Sequence, residues 1–538
     1  MNDRPAMPQA ADLESTSRRD ALGMAASLFG LAGLSGLVSR IAVAASTSKP
    51  IAGFKPARLP NTSMLGKWLK QLHDFGPIRA TGTPQARAFE EWLAQQFSAL
   101  GFSIERDQYR LMSWECDLDK DCAASVVEDG GTRKDLDVVA YFPFGGSTRS
   151  SGPVSGRVLY GGIGEDGAKA LVSNTPAAQL AEAIVVLDLP LQPNLALKFF
   201  PGSFPATLPR DVGSPNPAGQ GGRGLMELLQ DKCKALVLCY VDVSNDAARY
   251  NYLPFSEPHR KIPSVWVGLE DSRYLQSVSG KAALTVRCDA KLTPDARADS
   301  IVATLKGTSD EVIFLTTHTD GPNEVNDNGA LGLLALATYA AKTPPRERQR
   351  TLVASLPTGH YAAGAIADPI TGSGERAGTR GVMTKRPEVV KRIIGQIALE
   401  QLGAMEWADV DGKWRATGQV VNEYWIPTPA TAAPINQMFH AATHGLDPKY
   451  SRSELVEGGF APGEGGALRA ANLPGIGLMG VPYYFFRADP NGVLAKLNPK
   501  VMYNQVSIAA RLMVLMDRLS PAQLRGDQPI GDADLFGG

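Results

Sequence analysis

A chain of 538 residues is longer than one ordinary hydrophobic core can organise, so two modules, or one large domain carrying an insertion, are expected. Its 44% hydrophobic and 20% charged residues are those of a soluble globular protein. A formal net charge of -1 removes any global electrostatic reason to expect nucleic acid or an anionic membrane as a partner.

The first 45 residues read as a targeting segment. Arg18 and Arg19 precede a moderately apolar, Ala/Gly-rich stretch that ends at the small residues Ala42-Val43-Ala44, the pattern of a twin-arginine export signal. The expected location is periplasmic or secreted, with no stable membrane anchor once the signal is removed. Five cysteines in an oxidising compartment leave at least one unpaired. Cys116 with Cys122, and Cys233 with Cys239, are near in sequence and could close small loops, but neither pair has zinc-ligand spacing.

Residues 63 to 102 predict two helices, the second carrying Phe89, Trp92, Leu93, Phe97 and Leu100 on one face and stopping at Gly101. SIERDQYRL then alternates as a strand does. Between residues 140 and 290 the texture changes to short apolar runs (GRVLYGG, AIVVLDL, ALVLCYV, SVWVGL) separated by turn residues, which predicts a β-rich module. From residue 299 strand, loop and helix alternate: DEVIFLTT, GALGLLALATYAAKT, TLVASL, RIIGQIAL and LPGIGLMGV. That order predicts an α/β fold with a mostly parallel sheet flanked by helices, closed by the amphipathic helix VMYNQVSIAARLMVLMDRL.

The segment EVIFLTTHTDGPNEVNDNGALGLL ends a strand at His318-Thr319-Asp320 and opens an apolar helix at Asp327-Asn328-Gly329. Both groups fall at the carboxyl edge of a parallel sheet, where open α/β sheets build sites. An imidazole and a carboxylate suit zinc, and Asp320 could orient the His318 ring. The HTD and NDNG motifs resemble those of the two-zinc exopeptidases and aminopeptidases. The resemblance implies a catalytic domain over residues 60–135 and 295–520, with a protease-associated domain inserted over 140–290. It also implies one or two zinc ions, with His318 binding one of them and Asp327 bridging both.

Later motifs depart from that family. Where it has a Glu-Glu pair, this chain has Gly359-His360; His360 could bind metal, but glycine cannot move a proton. Glu400 stands for the family's next acid, and Phe485 stands where a ligating histidine is expected. Glu464, among glycines, is the candidate replacement base or ligand. The expected set is thus His318, Asp327, His360 and Glu400 as metal ligands, with Asp320 and Glu464 in catalysis. Tyr424, Trp425, Tyr483, Tyr484 and Arg487 are candidates for the substrate pocket. His440 and His444 lie four apart on an expected helix and have no role in the family.

The implied function is metal-dependent hydrolysis of a peptide or small amide. Glutaminyl-cyclase-like amide transfer and a non-catalytic binding protein on the same fold are the alternatives. For the export signal, changing Arg18 and Arg19 together to Lys is expected to hold the protein in the cytoplasm, and fractionation of cells expressing the double variant checks it.

Overall fold

The computed structural model describes residues 49–190, 222–252, 258–362, 377–456, 463–480 and 482–537. The expected export signal lies outside the described residues. Two helices open the described chain, α1 (Thr62–Asp74) and α2 (Pro84–Ala99). Asn61 caps the first by accepting from the Met64 amide, and Thr83 caps the second by accepting from Ala86, with Pro84 in its first turn. Leu65, Leu69 and Leu72 on α1, and Phe89, Leu93 and Phe97 on α2, are buried at helical spacing.

Among the described residues eighteen strands follow. β1 (Ser103–Glu115), β2 (Cys122–Glu128), β3 (Arg133–Leu136), β4 (Val138–Tyr141), β5 (Val154–Ile163) and β6 (Ala183–Leu189) come first. β7 (Ala235–Tyr240), β8 (Ser264–Val267), β9 (Ala282–Cys288), β10 (Lys291–Leu305), β11 (Val312–Thr316) and β12 (Thr351–Leu356) come next. β13 (Ile393–Leu399), β14 (Met405–Val410), β15 (Lys413–Val420), β16 (Glu423–Pro427), β17 (Ser453–Leu455) and β18 (Gly475–Gly480) complete them. One eight-stranded sheet has the order β1-β10-β12-β11-β13-β18-β16-β17 and the other β3-β2-β9-β5-β6-β7-β8-β4, while β14 and β15 form a hairpin.

Both large sheets are mixed. In the first, β12, β11, β13 and β18 run parallel, and every residue of β11 and β12 is buried, as strands covered on both faces must be. In the second, β5 to β8 run parallel while β9 and β2 are antiparallel. The predicted α/β architecture with a largely parallel central sheet is therefore the one observed.

Helix α3 (Gly329–Ala341) follows β11 and is buried over almost its whole surface. It packs with the long helix α5 (Pro499–Arg518), and α4 (Ala432–Thr443) lies against α5 as well. α5 begins at a capped proline, with Asn498 accepting from the Lys500 amide, and buries Val501, Met502, Val506 and Leu512 among others. Among the described residues no helix is long and apolar enough to cross a membrane.

The start of α3 fits against strand ends with no space to spare. A Cβ on Gly329 would lie 2.1 Å from the Leu399 carbonyl oxygen and 2.2 Å from Thr317 Oγ1. This contact sets Asp327 and Asn328 against the ends of β11 and β13, and Asn328 locks it by donating to the Leu402 carbonyl and accepting from the Leu402 amide. Gly329→Ala is expected to lower stability by about 3 kcal/mol, measured by urea unfolding.

Candidate functional site

The carboxyl ends of β11, β12 and β13 bring five of the six expected polar residues into one buried group. β11 leads into His318 and Asp320, β12 into Gly359 and His360, and β13 into Glu400, while Glu464 is the N-cap of the short helix Gly465–Ala470 that precedes β18. His318 is 1% exposed, and its Nδ1–H donates to the Asp320 carbonyl oxygen at 2.7 Å. That bond fixes the tautomer, so the lone pair sits on Nε2, which is buried and has no partner. Burial first, and the neighbouring His360 second, push its pKa down to about 3, so the ring is neutral.

The Asp320 carboxylate does not orient His318, contrary to the expectation from spacing. It accepts from Thr81 Oγ1 at 2.5 Å, from the His360 amide at 3.1 Å and from the Tyr361 amide at 2.9 Å. It therefore ties the loop after β12 to the loop between α1 and α2. Only its backbone carbonyl touches the imidazole.

His360 donates from Nδ1 to Glu464 Oε1 at 3.0 Å. Burial works against a charged ring, but the bond and charge of Glu464 outweigh it and raise the pKa to about 9. Glu464 also accepts from the Thr379 amide at 2.7 Å, so both of its oxygens are engaged. Burial would raise its carboxyl, yet His360 and Thr379 hold it below the usual value. Glu400 accepts from the Glu464 amide at 2.6 Å and from Gln401 Nε2 at 2.9 Å, and burial raises its pKa. This approach depends on glycine: Gly463 has φ +69°, and a Cβ there would lie 2.0 Å from Glu400 Oε1. Gly359 likewise has φ +83°, a conformation that a glutamate base could hold only under strain.

Asp327 is committed elsewhere. Arg79 grips it in a bidentate fork, Nε to Oδ2 at 2.6 Å and one terminal nitrogen to Oδ1 at 2.8 Å, with both side chains fully buried. Burial raises the Asp327 carboxyl to about 6 even against the pull of that guanidinium. Nothing in the sequence signalled Arg79. It lies in a short loop between two helices, 248 residues before its partner.

A two-zinc centre does not fit this arrangement. The carboxylate that would bridge two dications faces a guanidinium across both oxygens. Phe485, at the expected histidine position, is 4% exposed and packs on Phe486 at 4.1 Å between ring centroids. The His318 and His360 rings stack at 4.3 Å with an interplanar angle of 11°. A ligated ion lies in the plane of its imidazole, so these two nearly parallel stacked rings do not converge on a single ion either. Among the described residues, the one set of three or more His, Cys, Asp or Glu donors all within 4.8 Å of one another is Cys116, Cys122 and Cys288, outside this group.

The expected pocket residues are placed by packing. Trp425 is fully buried and packs on Phe439, and Tyr424 is 1% exposed with its hydroxyl accepting from Asn422. Tyr484 is 1% exposed and donates to the carbonyls of Met405 and Lys496. Tyr483 packs on Trp414, and Arg487 lies over Tyr250 and Trp414 and donates to the Asp246 carbonyl. Asn323 donates to the carbonyls of Tyr484, Phe485 and Arg487, which binds this segment to the turn after His318. His440 lies on α4 and His444 is its C-terminal cap.

No protein-family model and no curated relative matches this sequence. Solved structures do match in shape. A peptidase M28 precursor from Shewanella amazonensis superposes with a TM-score of 0.58 at 15% identity, over 85% of this chain and 93% of that one. BSAP, a zinc aminopeptidase from Bacillus subtilis, gives 0.56 at 12% identity over 89% and 99%, and an aminopeptidase from Aneurinibacillus sp. strain AM-1 gives 0.53 at 13% over 85% and 94%. Two mixed eight-stranded sheets, the HTD and NDNG turns at one sheet edge and this agreement over most of each chain show that the protein has the M28 zinc-aminopeptidase fold, in a form far diverged in sequence.

Proposed function

We propose that this protein is an exported binding protein on the aminopeptidase fold, which holds a peptide or peptide-like amide and does not carry out two-zinc hydrolysis. The observation that carries this is the Arg79 fork on Asp327. It supplies, from the protein itself, the positive charge that a bridging carboxylate otherwise takes from metal. The His360 imidazolium does the same for Glu464, so two of the buried carboxylates each have a protein cation. The ligand class follows from the neutral His318, whose buried Nε2 accepts a hydrogen bond and lacks a donor. An amine or amide N–H is such a donor, and the proteins of like fold are named as peptidases and aminopeptidases.

Metal-dependent hydrolysis of a peptide or amide bond is the second reading, favoured by the same unpartnered Nε2 beside His360, Glu400 and Glu464. The two are separated by metal analysis and peptide titration of the purified full chain, wild type and His318→Ala. The binding reading expects metal content unchanged by the substitution, no turnover of aminoacyl anilides with added zinc, and peptide affinity weakened about 10-fold, the worth of one buried hydrogen bond. Zinc-dependent turnover that disappears in His318→Ala together with bound metal overturns it in favour of hydrolysis.

Two further outcomes follow from the charge arrangement. Arg79→Ala leaves Asp327 buried without its partner and is expected to cost about 3–5 kcal/mol in a denaturant titration. Because the folded His360 pKa is raised to about 9 from an ordinary value of 6.5, its stabilisation is fully present below the ordinary value and is lost as pH rises through about 9. Glu464→Gln should flatten the fall in melting temperature over that window.

A further inference from the structure

The three cysteines Cys116, Cys122 and Cys288 meet in the second sheet, remote in function from the group around His318 and used by nothing described above. Cys116 follows the end of β1 and Cys122 opens β2. The five residues between them fold back on themselves, with the Asp117 carboxylate accepting from the amides of Asp119 and Lys120 and the Asp117 amide donating to Asp121. That turn returns Cys116 to Cys122, with Sγ atoms 3.5 Å apart.

Cys288 ends β9 and is the register partner of Cys122 across the antiparallel ladder. Its amide donates to Thr148 Oγ1 and its carbonyl accepts from the Thr148 amide, while the Asp289 amide bonds the Asp121 carbonyl. Cys122 and Cys288 are thus a non-hydrogen-bonded pair, the kind in which opposed side chains come closest. Their Sγ atoms are 3.9 Å apart, and all three sulfurs lie within 4.8 Å of one another. Leu111, Trp114, Leu118 and Tyr141 belong to the same buried cluster.

Sulfur spacing decides what this arrangement suits. With a metal–sulfur distance of about 2.3 Å, thiolates around one ion stand about 3.8 Å apart in tetrahedral geometry and about 4.0 Å apart in trigonal geometry. The two shorter separations, 3.5 and 3.9 Å, lie within about 0.5 Å of those values, and the third is no more than 4.8 Å. A disulfide would consume two of the three and leave the third beside it. Three soft donors in an apolar surround select zinc or copper(I) over hard cations.

We propose that Cys116, Cys122 and Cys288 form a binding site for one thiophilic d10 cation, Zn(II) or Cu(I), held by three thiolates. Loading releases the thiol protons to solvent as the metal–sulfur bonds form, with no change in sulfur oxidation state. The bound ion pins the end of β1 to β2 and β9, where the first sheet passes into the second.

The test uses the purified full chain, reduced and stripped of metal, titrated separately with Zn(II) and, without oxygen, with Cu(I), each against a chromophoric competitor. One ion per chain is expected for at least one of the two metals. Cys122→Ser should weaken it by more than the roughly 100-fold that loss of a merely supporting contact causes. Cys239→Ser and His318→Ala should leave it intact. Because Cys122 is buried and its serine variant could misfold, Cys116→Ala, at a partly exposed position, provides the second arm. The ion should raise the melting temperature of the wild type and not that of this variant. Failure of both metals to bind, unchanged binding in Cys116→Ala, or an unreduced chain two hydrogens lighter with two of the three thiols lost to a disulfide would each overturn the proposal.

Discussion

The ion pair between Arg79 and Asp327 organises the sheet edge. Two opposite charges at full burial cost several kcal/mol each to desolvate, and only close geometry with further hydrogen bonds offsets that cost. Both conditions hold: the fork uses both carboxylate oxygens, and the remaining guanidinium nitrogen donates to the Gly76 carbonyl. The pair fastens the loop between α1 and α2 to the turn that starts α3. The backbone follows, since Arg79 and Gly321 exchange amide and carbonyl bonds at 3.0 and 3.1 Å.

Once that loop is seated, Thr81 reaches Asp320, and Asp320 holds the amides of His360 and Tyr361. His360 then meets Glu464, whose own amide meets Glu400. The ends of three neighbouring strands and the segment before a fourth are joined through carboxylates whose oxygens are nearly all filled. Such a network is rigid and selective, because each missing partner would leave a buried acceptor unsatisfied. His318 Nε2 is the one imidazole or carboxylate atom of this group left buried without a partner, and so it marks where a ligand would have the most to gain.

The second sheet carries a different kind of junction. There the groups that converge are thiols, brought together by ladder register and a self-tied turn, with an apolar cluster around them. The two junctions share a design in which residues far apart in the chain are held by antiparallel or loop backbone bonds, and their side chains then meet at donor distance.

Local patterning was legible in the sequence because it obeys local physics. The apolar runs of β11, β12 and β13, the helical spacing of α2 and the glycine-led start of α3 are set by burial periodicity, and they became the elements expected. The HTD and NDNG turns fell at the sheet edge because a parallel strand followed by a helix leaves them nowhere else. The roles within the edge were not legible. Arg79 lies 248 residues from Asp327, and Cys288 lies 166 from Cys122, so no spacing rule links them. Trp425 and Tyr484 read as pocket walls from their place in the chain, yet packing buried them, because which side of a loop faces the core is settled by the neighbouring elements. The sequence alone thus determined the elements, their order and which polar groups would gather. The tertiary structure decided which charge meets which, since a buried carboxylate pairs with whatever cation the fold brings within reach.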